Sequence, residues 1–486
     1  MPLSRKEDFT METTCRGPLL PAHIIHNKTV NAVWDGAFML LALLIVAFRW
    51  EVAGTFVFLG AIAVMMVGSD RLSDSWVPLI LMTVFLTRCY DSYDVFIRYA
   101  PFYAAAVSTV FFHVFYYWKK PTIGPSFYGL CAVAVAVTLG GAFYISAADY
   151  FRPIMLYYVG CLGALMPLLY LVAKPRVDDE ARERFLRGLF LAGCLSVFAV
   201  AVFYLRDWRT VAETHRALQF QSANNLVTFL MMTMPTGFYL AKTHRPLIVS
   251  PAVTYLAILL CNNRSGTLLG SAEFFLLLVF FCFYRADRFR RIAFVLCIAA
   301  GAVLCIIFLP RVLPYYALDT VGEYVPPETF WGRVRDLPLK ILAYNEARLG
   351  LLKRAWHDFC ANPVFGVGLG YRGNSDIYDP AKGAMNWYHM WGPQILGSLG
   401  ILGVLCYGYQ LFGRIRLAFT RRGFPAVTLS LCYLGLFLMS QVNPGEFCPF
   451  PYAITATLIF VLIEPDESPA KDAVPEAEQP ANEEPT

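Results

Sequence analysis

Apolar runs of 13 to 23 residues, almost free of charge, recur along the chain, and the longer ones are about the length needed to cross a bilayer. They fall near 32–48, 53–68, 75–87, 99–117, 124–146, 154–173, 187–205, 224–241, 247–261, 267–284, 292–309, 392–411, 425–440 and 451–463. The run at 75–87 is short, and the first two are parted only by "RWEVA". The expectation is an all-α polytopic membrane protein of about 12–14 transmembrane helices. Composition agrees. Apolar residues make up 57% and charged residues 15%, against about 45–50% and about 25% in soluble domains.

Lys and Arg gather in alternate connections: "WKKPTIG", "KPRVDDEARERFLR", "KTHRP", "YRADRFRR" and "GRIRLAFTRR". The positive-inside rule puts these connections, and both termini, in the cytoplasm. The organisation expected is a cytoplasmic segment over 1–31, a helical bundle over 32–309, an extracytoplasmic cap loop over 310–391, further helices over 392–463 and a tail over 464–486. The tail is acidic and rich in Pro, Glu and Ala, a composition that predicts disorder. The cap loop has nine Lys/Arg and eight Asp/Glu. It is also aromatic, so we expect a small, mostly helical fold there rather than a charged arm.

Other classes lose ground on the same grounds. The net charge of +5 is scattered and offers no basic patch for nucleic acid. The cysteines sit mostly inside apolar runs, where they act as small hydrophobes, and neither C-x-x-C nor a Cys/His ligand spacing occurs, so neither metal nor cofactor is expected. No secretory signal is expected ahead of the first apolar run.

"NPVFGVGLGYRG" (362–373) carries the G-x-G-x-x-G spacing of a dinucleotide fingerprint. That fingerprint needs a strand before it and a helix after it. Here a helical segment precedes it and "NSDIYDPAKG" follows, so no nucleotide is expected. Gly368 and Gly370 instead suit a tight turn with positive φ, or a backbone nest whose N–H groups hold an anion.

Four side chains carry the candidate chemistry. In "EARLGLLKRAWHDF" (346–359), helical spacing gives one face of Leu349, Leu351, Leu352, Ala355, Trp356 and Phe359. Arg348 falls within this stripe, where a guanidinium either snorkels to water or meets an anion. Arg264 stands in "CNNRSGTLLG" (261–270), beside Asn262, Asn263 and Ser265. It is a snorkelling anchor or an anion ligand. Arg216 belongs to "RDWRTVAETHRALQFQSANN", a third segment on the outer side, where positive charge is normally sparse. Arginines in three outer segments suggest an anionic ligand. His389, in "NWYHMWGPQILGSLGILG" (386–403), is a packed surface residue or a proton-transfer group. Asp35, His113 and Glu273 lie in or beside apolar runs and read as structural.

From about Asn224 to Gly403 the chain resembles the O-antigen ligase family, which includes lipid-linked glycan polymerases. "NNLVTFLMMTMP" resembles that family's Asn-led helix ending in Pro. "NRSGTLL" resembles its Ser-Arg-small motif, with Asn263 for the usual Ser. "RLGLLKRAWHDFCANPVFGVGLGYRG" resembles the amphipathic helix and glycine turn of its outer loop. "YHMWGPQILGSLGILG" resembles its His-Asn-x-x-Leu-Gln segment, with Met390 for the usual Asn. The resemblance implies a GT-C-like fold in the bacterial cytoplasmic membrane. It also implies metal-independent transfer of a glycan from undecaprenyl diphosphate to a glycan or glycolipid acceptor. Arg264, Arg348 and Arg216 would hold the diphosphate, and His389 would orient or deprotonate the acceptor. Ligase and polymerase are not separable by these motifs. A transporter would favour internal repeats, and none is visible.

Overall fold

In the computed structural model, the described residues are 19–25, 27–89, 95–116, 123–150, 157–206, 220–261, 263–283, 345–370, 388–443 and 445–464, with a few helical residues between 292 and 303. They form helices α1 (Lys28–Phe48), α2 (Glu51–Gly68), α3 (Trp76–Cys89), α4 (Val95–Phe115), α5 (Pro125–Leu139), α6 (Val159–Arg176) and α7 (Asp179–Arg206). α8 (Phe220–Leu240), α9 (Ser250–Leu260), α10 (Arg264–Phe283), α11 (Asn345–Ala361), α12 (Trp391–Thr420), α13 (Phe424–Ser440) and α14 (Ile454–Ile463) follow. No strand occurs among the described residues. Five of these helices, α1, α2, α6, α7 and α12, are long and apolar enough to cross a membrane, and seven shorter apolar helices accompany them. The outside of the bundle is apolar too, with Phe275, Leu405, Phe412 and Phe419 exposed. Such a surface suits lipid and is costly in water.

Local sequence sets the helix ends. Asn27 caps α1 by accepting from the amides of Thr29 at 2.9 Å and Val30 at 3.3 Å. Pro125 opens α5, where its missing N–H costs nothing. Two expected loops turn out to be helix. The charged "DDEARERFLR" forms the first turns of α7, because Asp178 accepts from the Ala181 amide at 2.6 Å and Asp179 and Glu180 occupy the first turn. "GRIRLAFT" continues α12, which is 30 residues long. Its Arg414 is buried, bonded to Glu446 and to the Tyr433 hydroxyl at 2.9 Å. A buried guanidinium needs such partners.

The contacts sort the bundle into two ends. At one, Arg184 pairs with Asp74 at 2.9 Å and with Asp35 at 3.4 Å, Lys174 lies 3.8 Å from Glu464, and Arg182 donates to the Leu462 carbonyl at 2.8 Å. Phe424 stacks on Tyr239 with centroids 5.4 Å apart and lies 5.7 Å from the Lys242 ammonium. Three of the basic segments therefore share this end. At the other, the Tyr204 hydroxyl near the close of α7 donates to the Leu260 carbonyl at 2.5 Å. That contact brings in the junction of α9 and α10. α5 runs between the two, from the Ser126 amide bonded to Glu464 at 2.9 Å to Gly141, whose amide donates to the Phe365 carbonyl at 3.0 Å. The glycine turn and the start of α10 thus lie at the same end, opposite the ion pairs of Arg184 and Lys174.

Candidate functional site

The glycine turn is locked into a broken helix. At Gly400, φ is 63° and ψ is −156°, so α12 loses its helical bonds there. The two carbonyls left over, Gly397 and Ser398, accept from the amides of Val367 at 3.0 Å and Gly368 at 2.8 Å. The two amides left over, Ile401 and Leu402, donate to the carbonyls of Pro363 at 2.9 Å and Val364 at 3.1 Å. These four backbone groups are satisfied by the turn, as burial in an apolar setting demands. Glycine makes the approach possible. A Cβ at Gly366 would lie 2.3 Å from the Ser398 carbonyl carbon, and one at Gly400 would lie 2.5 Å from the Pro363 oxygen. Gly366, Gly368 and Gly370 all have positive φ. The Gly368 N–H is therefore engaged inside the protein.

The break also folds α12 back on itself. The rings of Trp391 and Tyr407 are 6.5 Å apart, whereas a straight helix would separate the residues by roughly 24 Å. Trp391 Nε1 donates to Glu446 at 3.1 Å, and Arg414 bonds the other oxygen of the same carboxylate.

His389 sits just before this folded helix, in the left-handed region with φ at 55°. A non-glycine residue there costs about 1–3 kcal/mol unless its surroundings fix it. Its neighbours supply the fixing. The Tyr388 amide donates to the Gln394 side-chain oxygen at 2.9 Å, and the Gln394 side-chain amide donates to Ser398 Oγ at 3.0 Å. The Tyr388 hydroxyl donates to Asp358 at 2.6 Å. Asp358 also accepts from Arg354 Nε at 3.0 Å. Burial, and the Asp358 carboxylate beside it, push the Tyr388 hydroxyl well above the usual tyrosine range. It therefore remains a donor. Glycine again permits the packing, since a Cβ at Gly397 would lie 2.9 Å from the Tyr388 ring.

Asp358 corrects the expected face of α11. Ala355 and Asp358 are buried, while Leu352 and Trp356 are exposed. Part of the apolar stripe, Leu352 and Trp356, faces away from the packed side, which takes in Ala355 and Asp358. A paired carboxylate is buried in its place.

The start of α10 is fixed by two asparagines. Asn263 caps the helix by accepting from the Gly266 amide at 2.7 Å, and its side-chain amide donates to Asn224 on α8. A Cβ at Gly266 would lie 2.4 Å from Val227, so the two helices meet closely. Tyr452 donates to the Asn225 carbonyl at 2.7 Å and lies against Gly445, next to the Glu446 that holds Trp391. A chain of contacts thus joins the start of α12, beside His389, to the starts of α8 and α10.

Arg264 is the first residue of α10, and Arg348 lies in the first turns of α11. Their side chains lie outside the described residues. Arg216 lies outside them altogether, as does most of the expected cap. Among the described residues no set of three or more His, Cys, Asp or Glu is placed to hold a metal ion. The structure adds Asp358, Tyr388 and Gln394 to the candidates. Sequence reading passed over Asp358 because it lies off the stripe, and Tyr388 because an aromatic beside a histidine is ordinary. No protein-family model matches the chain, and comparison with curated proteins finds no match.

Proposed function

We propose that this chain is a membrane glycosyltransferase of the O-antigen ligase kind, with 12–14 transmembrane helices and a GT-C-like fold. It moves a glycan from undecaprenyl diphosphate to a glycan or glycolipid acceptor at the outer face of a bacterial cytoplasmic membrane. One observation supports this most. The helix that Arg264 opens and the helix that carries Arg348 are tied by named contacts to the segment bearing His389.

The chemistry follows from those groups. An acceptor hydroxyl attacks the anomeric carbon as the bond to the diphosphate oxygen breaks. Negative charge builds on the leaving diphosphate. Arg264 and Arg348, with Arg216, neutralise it without a metal, as fixed charges in a site of low dielectric. Guanidinium forks suit phosphate oxygens because they bind two at once. His389 orients the acceptor hydroxyl or takes its proton. Its strained backbone, held through Tyr388 and Gln394, keeps the ring in one place. The test is transfer by the purified protein, with lipid-diphosphate glycan as donor and both a glycolipid core and a growing glycan as acceptors. Use of the glycolipid supports a ligase, and chain extension supports the second reading, a polymerase. Transport of the donor across a sealed vesicle without transfer would replace both with a transporter.

A further inference from the structure

Glu273 lies at the middle of α10 and is 1% exposed. Neither carboxyl oxygen has a hydrogen-bond partner, and no ion pair involving it occurs among the described residues. A bare carboxylate in such a place is among the costliest groups a membrane protein can bury. Ion pairs accompany three other buried acids: Asp35 and Asp74 face Arg184, and Glu446 faces Arg414.

What Glu273 faces is specific. Pro235 stands inside α8 and has no N–H, so the Met231 carbonyl one turn earlier lacks its helical donor. On α13, Gly435 leaves a gap. A Cβ there would lie 2.6 Å from Glu273 Oε1 and 2.8 Å from the Met231 oxygen. The orphaned carboxyl and the orphaned carbonyl therefore border the same space. Both are acceptors as drawn, and one proton between them satisfies both.

The titratable groups nearby cannot supply a countercharge. Cys432 faces Glu273 from α13. Tyr255, on α9, is engaged with Ser271 at 2.7 Å and stacked on Phe274 at 4.6 Å. Over its described span α8 brings only Tyr239, two turns beyond Met231 and stacked on Phe424. No arginine or lysine lies between Arg264 and the end of α10. A metal cation would need more oxygens than the one carboxyl and one carbonyl seen here.

We propose that Glu273, the Met231 carbonyl and the gap at Gly435 form a proton-binding site inside the membrane. Glu273 holds the proton as a carboxylic acid and donates it to the Met231 oxygen. The bond clasps α10 to α8 where α13 crosses them. Loss of the proton would set a bare charge at the junction of three helices and loosen the helix that Arg264 opens. The proposal is independent of the glycosyltransferase reading.

Infrared spectroscopy of the purified protein in lipid nanodiscs tests it. The wild type should show a carboxylic-acid C=O stretch at neutral pH that is missing from Glu273→Gln, and sodium should not change it. Gln fits the site as a neutral donor, so its thermal unfolding at neutral pH should match the wild type. Should that variant fail to assemble, Glu273→Met supplies the reference spectrum. Absence of the acid band from the wild type, or a carboxylate band at Glu273 that shifts with sodium, would overturn the proposal, the second outcome in favour of a cation site.

Discussion

The Tyr388 hydroxyl donates to Asp358 at 2.6 Å, and this bond joins the residue before His389 to the helix that carries Arg348. Tyr388→Phe removes it while Arg354 continues to hold Asp358. A bond to a charged, buried partner is worth about 1.5–3 kcal/mol, so thermal or denaturant unfolding in detergent should show a loss of that order. The hydroxyl is held protonated in the folded state. Its contribution is therefore full below the unfolded tyrosine value of about 10 and is lost only as pH rises toward the higher folded value. The difference between wild type and variant should stay constant from neutral pH to about 10. A difference that vanishes near neutral pH would contradict the geometry.

The turn and the broken helix predict a graded response to alanine. Gly366→Ala and Gly400→Ala place a methyl against backbone at 2.3 Å and 2.5 Å, at positive φ, and should prevent stable assembly. Gly350, in the interior of α11, has nothing within 4 Å, and Gly350→Ala should stabilise by about 0.5–1 kcal/mol. Gly368→Val should disturb folding and create no nucleotide dependence, since its N–H serves Ser398. Melting curves of the four variants decide this. Equal behaviour of Gly350→Ala and Gly366→Ala would dismiss the interlock.

Much of this architecture was legible before the structure. Long apolar runs gave the helices, because length and hydropathy are properties of each segment alone. The break at Gly400 was not legible. Its cause is a second segment more than thirty residues earlier, and only their pairing shows why both are glycine-rich. The burial of Arg414 was hidden for a similar reason. Beside Arg416 and Arg421 it looks like part of a basic loop, while its partner Glu446 lies beyond another helix. At the site, the glycine spacing suggested a tight turn with positive φ, and Gly366, Gly368 and Gly370 have it, since a turn of this kind can be read locally. Asp358 escaped notice because periodicity reports apolar faces and says nothing of a buried acid with a tyrosine partner.

The Arg414–Glu446 pair should show the asymmetry of buried charges. Arg414→Leu leaves Glu446 among Tyr433, Trp391 and apolar groups, and should cost about 3–5 kcal/mol. Removing both, in Arg414→Leu with Glu446→Leu, should recover most of that loss. A double-mutant cycle read by thermal unfolding measures it. Additive losses would show that the pair is not coupled.

The diphosphate reading predicts that Arg264→Ala and Arg348→Ala each lower transfer by about 10²-fold, or about 3 kcal/mol in the transition state. Lysine should rescue poorly, because a single ammonium cannot make the two-point contact. His389→Gln should reduce the rate with unfolding unchanged. Arginine variants that transfer at the wild-type rate would remove those side chains from the mechanism.

The most direct measurement uses the full chain in nanodiscs, with an undecaprenyl-diphosphate glycan and a panel of glycolipid and glycan acceptors. Mass spectrometry follows both products. A glycan-bearing acceptor and free undecaprenyl diphosphate are expected in equal amounts, each absent from the Arg264→Ala, Arg348→Ala double variant. Intact donor after incubation with every acceptor, from protein that is folded and binds the donor lipid, would contradict it.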